Sequence, residues 1–141
     1  MAMPKVEIHV HLEGATGPET VWDMARRNGV ELPADSLEEW RDFYAFRDFD
    51  HFIRVYLLAS SAMQTPEDYE QMVVDFGAHQ ARQNIRYSEA YFSPQLHLGR
   101  ALSADEIIRA LELGAARAAA ESNTRIRFIA DIGRGVDGYL D

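Results

Sequence analysis

The chain has 141 residues, 47% of them hydrophobic and 26% charged, which excludes disorder and low-complexity filaments and suits one domain with a buried core. It has no cysteine, so disulfide frameworks, thiol nucleophiles and cysteine-ligated zinc are ruled out. A net charge of −9 argues against nucleic acid as a partner; no apolar run approaches a membrane span, and Met1 to Lys5 lacks the apolar stretch of a signal peptide, so a cytoplasmic location is expected.

Val6 to Leu12 alternates, with Val6, Ile8, Val10 and Leu12 on one face of a strand and Glu7, His9 and His11 on the other. Gly14 and Gly17 break the pattern, and Pro18 opens a helix that Asn28-Gly29 ends. Ser36 and Glu39 have capping-box spacing. Phe49, Phe52, Ile53 and Tyr56 then recur as a helical stripe, read by periodicity as core. Thr65-Pro66-Glu67-Asp68 starts another helix, which ends near Asn84. Ile85 to Phe92 reads as a second strand, stopped by Ser93-Pro94. Ser103 and Glu106 cap a helix running to about Ser122, and Arg125 to Ile132 reads as a third strand leading into Gly133-Arg134-Gly135. Strands separated by helices predict a parallel α/β sheet, with extra helices between the first two strands.

His9 and His11 carry the most chemical information. Residues two apart on a strand leave the same face, so both imidazoles can reach one metal ion. They stand at the C-terminal end of a strand before a glycine-bearing loop, where parallel α/β folds build their sites. The competing reading is two polar side chains at a sheet edge, one bonded to Glu7. Glu13, at the same mouth, reads as a substrate contact or a solvated carboxylate. Tyr87, Glu89 and Tyr91 read as sheet interior. Asp131 reads as a structural hydrogen-bonding group within reach of the mouth, and His97 as a residue that could line it. His51 and His79 read as surface or helix-packing residues.

The run Pro4-Lys5-Val6-Glu7-Ile8-His9-Val10-His11-Leu12-Glu13-Gly14-Ala15 resembles the opening of the adenosine deaminase family, within the metal-dependent amidohydrolases. Phe49, Phe52, Ile53 and Tyr56 resemble its aromatic helix over the pocket, and Arg86 to Pro94 resembles its second strand. The resemblance implies a (β/α)8 TIM barrel, one zinc ion, and hydrolytic deamination of a 6-aminopurine with release of ammonia. It implies His9 and His11 as metal ligands, and Glu13, Gly14, Phe49, Phe52, Ile53 and Tyr56 as substrate-binding residues. Adenosine is the first substrate expected; adenine and aminodeoxyfutalosine are the alternatives.

The family's third histidine ligand, its His-Ala-Gly-Glu segment with the general-acid glutamate, and its late Asp-Asp pair have no match here; no histidine follows His97. A full barrel needs about 250 residues. Residues 1–141 are therefore expected to be the N-terminal part of one barrel domain, its first three strands plus extra helices after strand 1, with the general acid beyond Asp141. Such a piece alone is expected to be inactive. The reading of another class is a non-catalytic barrel fragment that associates with a partner or a second copy through open sheet edges.

Overall fold

The computed structural model describes residues 3–97 and 102–132; the predicted Gly133-Arg134-Gly135 loop lies outside them. Strands β1 (Lys5–His11), β2 (Ile85–Phe92) and β3 (Arg125–Ala130) form one parallel sheet in the order β1-β2-β3. Between β1 and β2 the chain forms α1 (Pro18–Asn28), α2 (Leu37–Tyr44), α3 (Phe49–Ala62) and α4 (Pro66–Arg82). A 3-10 turn (Pro94–Leu96) follows β2, and α5 (Ala104–Ser122) leads to β3. The third strand is two residues shorter than predicted, ending at Ala130 instead of Ile132.

Parallel pairing requires a crossover between neighbouring strands. Here α4 packs on β2 and α5 on β3, and the two helices pack most extensively on each other. Ala90 and Phe92 of β2 and Ile126 of β3 are buried beneath them, with Val73, Phe76, Ile107 and Leu111 from the helices. Each such large apolar side chain contributes about 1.5–3 kcal/mol by leaving water. Two glycines permit the close helix approach. A Cβ at Gly77 would lie 2.5 Å from Ala118 Cβ, and one at Gly114 would lie 2.6 Å from Val73 Cβ.

The helix starts follow their caps. Ser103 Oγ accepts from Glu106 N–H at 3.3 Å, and Glu106 Oε2 accepts from Ser103 N–H at 2.9 Å. Ser36 Oγ likewise accepts from Glu39 N–H, but the Glu39 carboxylate takes the N–H of Asp35, so the expected box is only half formed. At α4, Asp68 is a wholly buried hub. Its carboxylate accepts from Thr65 N–H (2.8 Å), Gln64 N–H (2.9 Å), Asn28 Nδ2 (2.7 Å) and the Arg27 guanidinium. Burial alone would raise its pKa; the donors from Gln64, Arg27, Thr65 and Asn28 outweigh that and hold it below the ordinary aspartate value.

Phe49, Phe52 and Ile53 of the α3 stripe do not enter the core. Phe49 is 69% exposed, and Phe52 and Ile53 are each 39% exposed. The buried residues are Val55, Ala59, Ser60 and Ala62. The helix carries two overlapping apolar faces, and the one with small residues allows closer packing against α1.

Candidate functional site

The site forms where β1 gives way to its loop. Leu12 N–H donates to Tyr91 O at 2.9 Å, extending the ladder just past His11. His9 and His11 leave one face of β1, their ring centroids 5.8 Å apart and their planes tilted by 43°. Tyr91, the register partner of His11, touches both rings, at 4.7 Å from His9 and stacked 5.4 Å from His11. The predicted tie to Glu7 exists, but it runs from the backbone N–H of His9.

Asp131 follows β3 directly, and its N–H donates to Phe92 O at 2.9 Å. Its Oδ2 lies 3.2 Å from His11 Nδ1. A carboxylate against Nδ1 orients an imidazole and leaves Nε2 as the metal-binding atom. The donor chemistry of His9 and His11 therefore fits two ligands of a zinc-like cation. Among the described residues no group of three or more His, Asp or Glu side chains comes together to hold a metal.

Glu13 and His97 are both fully buried. Glu13 Oε1 accepts from Ser93 N–H at 2.8 Å and lies 3.2 Å from His97 Nε2. Glu13 Oε2 accepts from Tyr56 OH at 3.2 Å, and that hydroxyl also lies 3.2 Å from Ser93 Oγ. His97 Nδ1 lies 2.9 Å from Tyr69 OH. Burial, then the neighbouring Glu13 carboxylate, push the Tyr56 hydroxyl well above the usual tyrosine range, so it stays a donor. Gly14 passes beneath the Tyr56 ring; a Cβ there would lie 3.2 Å from Tyr56 Cδ2.

A cavity of about 400 Å³ opens beside Tyr56, with Gly14, Tyr44, Phe46, Phe52 and His51 in its lining. Both ring nitrogens of His51 are buried, with no hydrogen-bond partner found for them among the described residues. Burial, then the charge of Glu19, push the Tyr44 hydroxyl up to about 12.

The structure thus gathers His9, His11, Gly14, Phe52 and Tyr56 at one end of β1. Phe49 and Ile53 stand on the exposed face of α3. Glu13 lies beneath the mouth, and His97 lies in the same buried cluster. Sequence reasoning did not assign Tyr91 and Asp131 to the histidines. The available signal was alternation: Tyr91 pairs with Ile129, and Asp131 stands two residues further along that face.

The family model for adenosine deaminase matches residues 4–137. The chain is 38% identical to the aminodeoxyfutalosine deaminase of Acidothermus cellulolyticus, over 99% of this chain and 39% of that protein. Its fold matches the adenine deaminase of Arthrobacter aurescens with a TM-score of 0.83 and 29% identity, over 93% of this chain and 40% of that one. It also matches a zinc-bound amidohydrolase of Burkholderia ambifaria with a TM-score of 0.78 and 22% identity, over 91% of this chain and 35% of that one, which bears on fold alone. The chain spans about two fifths of the relatives it matches, and its three parallel strands are part of their barrel.

Proposed function

From a chain that belongs to the adenosine deaminase family, we propose a zinc-dependent hydrolytic deaminase that removes the 6-amino group of a purine as ammonia. The observation that carries this reading is the His9–His11 pair on one face at the C-terminal end of β1, with Asp131 against His11. The ligand is a 6-aminopurine of the adenine or aminodeoxyfutalosine kind. The similarity to deaminases of these two substrates favours them over adenosine, the first expectation from the motif.

His9 and His11 would hold the metal through their imidazole nitrogens. A bound zinc ion would supply water with a pKa lowered toward neutrality. Asp131 orients His11, and Tyr91 packs against both rings. Gly14, Phe52 and Tyr56 form an apolar wall suited to a flat purine ring. Phe49 and Ile53 would add ligand contacts at the outer rim, and Glu13 supports the wall from beneath. The carboxylic acid that protonates the ring lies, in this reading, beyond Asp141.

The test is ammonia release by the full-length, zinc-loaded protein. Adenine or aminodeoxyfutalosine is expected to turn over faster than adenosine. Turnover of none of the three rejects the reading.

A further inference from the structure

The Glu13 carboxylate stands two residues beyond the His pair, yet it is fully buried, and three chain segments converge on it. Resting on the deaminase reading above, we propose that Glu13 and His97 are positioning residues that fix Tyr56, and through it His11, and do not touch the ligand.

The argument starts from hydrogen-bond capacity. An ionised carboxylate offers about four acceptor positions. The N–H of Ser93, the ring nitrogen of His97 and the hydroxyl of Tyr56 already converge on Glu13, and no solvent-exposed surface remains on it. Because these neighbours bury Glu13 completely, a ligand hydroxyl could reach the carboxylate only by displacing one of them and leaving that donor unpaired, which is costly for a buried group.

His97 is equally committed. Its ring stacks on Phe92 at 4.9 Å with planes 8° apart, and its other nitrogen lies 2.9 Å from Tyr69 OH. Core packing from β2 and α4 therefore holds the imidazole, and the imidazole holds one oxygen of Glu13. The other oxygen takes the Tyr56 hydroxyl.

Tyr56 transmits the constraint. Its hydroxyl is pinned by Glu13 and Ser93, and its ring lies against the Gly14 backbone. The ring edge meets His11 at a centroid distance of 6.4 Å and an angle of 77°. The run His97–Glu13–Tyr56–His11 thus connects the segment after β2 to the imidazole at the end of β1. Misplacing a reactive group by about 1 Å can cost about a hundredfold in rate, so a wall fixed this way matters even where it makes no ligand contact.

Four variants of the full-length protein test this: Glu13→Gln, Tyr56→Phe, His97→Gln and His97→Phe, each checked by circular dichroism and thermal unfolding. Glu13→Gln and Tyr56→Phe are expected to lower kcat by about tenfold or more, with KM nearly unchanged. The factor should be the same for adenine and for adenosine. The double variant should be no worse than Glu13→Gln alone, because both act on one run of contacts. His97→Gln, which keeps a donor toward Glu13, should recover most of what His97→Phe loses.

Side-chain ¹⁵N NMR of the zinc-free full-length protein adds a readout independent of turnover. The His11 imidazole signals should move in Glu13→Gln and Tyr56→Phe alike. A rise in KM confined to the sugar-bearing substrate in Glu13→Gln would make Glu13 a ligand contact and overturn the proposal. Unmoved His11 signals, or fully additive losses, would overturn it as well. If the unmodified protein deaminates none of these purines, the functional reading fails, and the NMR comparison still decides the positioning role.

Discussion

Asp131 Oδ2 reaches His11 Nδ1 at 3.2 Å across the width of β2, so the first and third strands meet over Tyr91. Outer carboxylates of this kind orient metal-binding imidazoles, and their removal lowers metal affinity by about 10–100-fold. Asp131→Asn keeps the shape and removes the charge. It is expected to weaken zinc binding by about tenfold or more, measured by calorimetry, with an unchanged far-UV spectrum. Unaltered zinc affinity would show that the contact does not act on metal binding.

His9→Ala and His11→Ala test the pair itself. Both imidazoles are exposed and lie outside the core, so their loss should leave folding nearly intact. Each substitution is expected to abolish most zinc-dependent turnover of the full-length protein while circular dichroism barely changes. Near-normal turnover in either variant would assign the histidines a structural role.

The distinction between what was legible and what was not follows the reach of the interactions. β1, the helix starts at Pro18, Pro66 and Ala104, and the paired histidines are written in local spacing, which alternation and capping chemistry expose. The burial of Glu13 and His97 was not legible. It arises from a contact 84 positions apart in the chain, and glutamate is mostly exposed elsewhere while histidine is intermediate. The α3 stripe was legible as an apolar face, but a second face of small residues competed for the same core. Periodicity ranks faces by hydrophobicity and does not weigh how closely a neighbouring helix can approach.

Asp68 makes stability depend on acid. Its folded pKa is lowered, so its contribution is present above the unfolded value of about 3.9 and is lost as pH falls through the lower folded value. Urea unfolding between neutral and strongly acidic pH should show stability falling in that window. Asp68→Asn keeps the size but gives up charge and acceptor capacity toward four donors, and should flatten the decline. At neutral pH it should cost about 2–3 kcal/mol, as expected when charge-assisted bonds to a buried group are lost. An unchanged pH slope would show that Asp68 is not the group responsible.

Gly114 sets two physical effects against each other. Alanine is the better helix former by about 1 kcal/mol, so propensity alone predicts that Gly114→Ala stabilises α5. The new Cβ, however, would lie 2.6 Å from Val73 Cβ and 2.8 Å from the backbone oxygen of Glu70. Neither can yield by rotating a flexible side chain, so α4 and α5 must separate. Overpacking of this kind costs about 1–3 kcal/mol, and it acts on the most extensive helix contact in the structure. The net expectation is destabilisation by about 1–2 kcal/mol, read by urea denaturation. Leu113→Ala, at a 57% exposed position one residue away, serves as the control and should stay within about 0.5 kcal/mol of the parent. A Gly114→Ala variant as stable as the parent would mean that the two helices tolerate a wider spacing than the sheet beneath them implies.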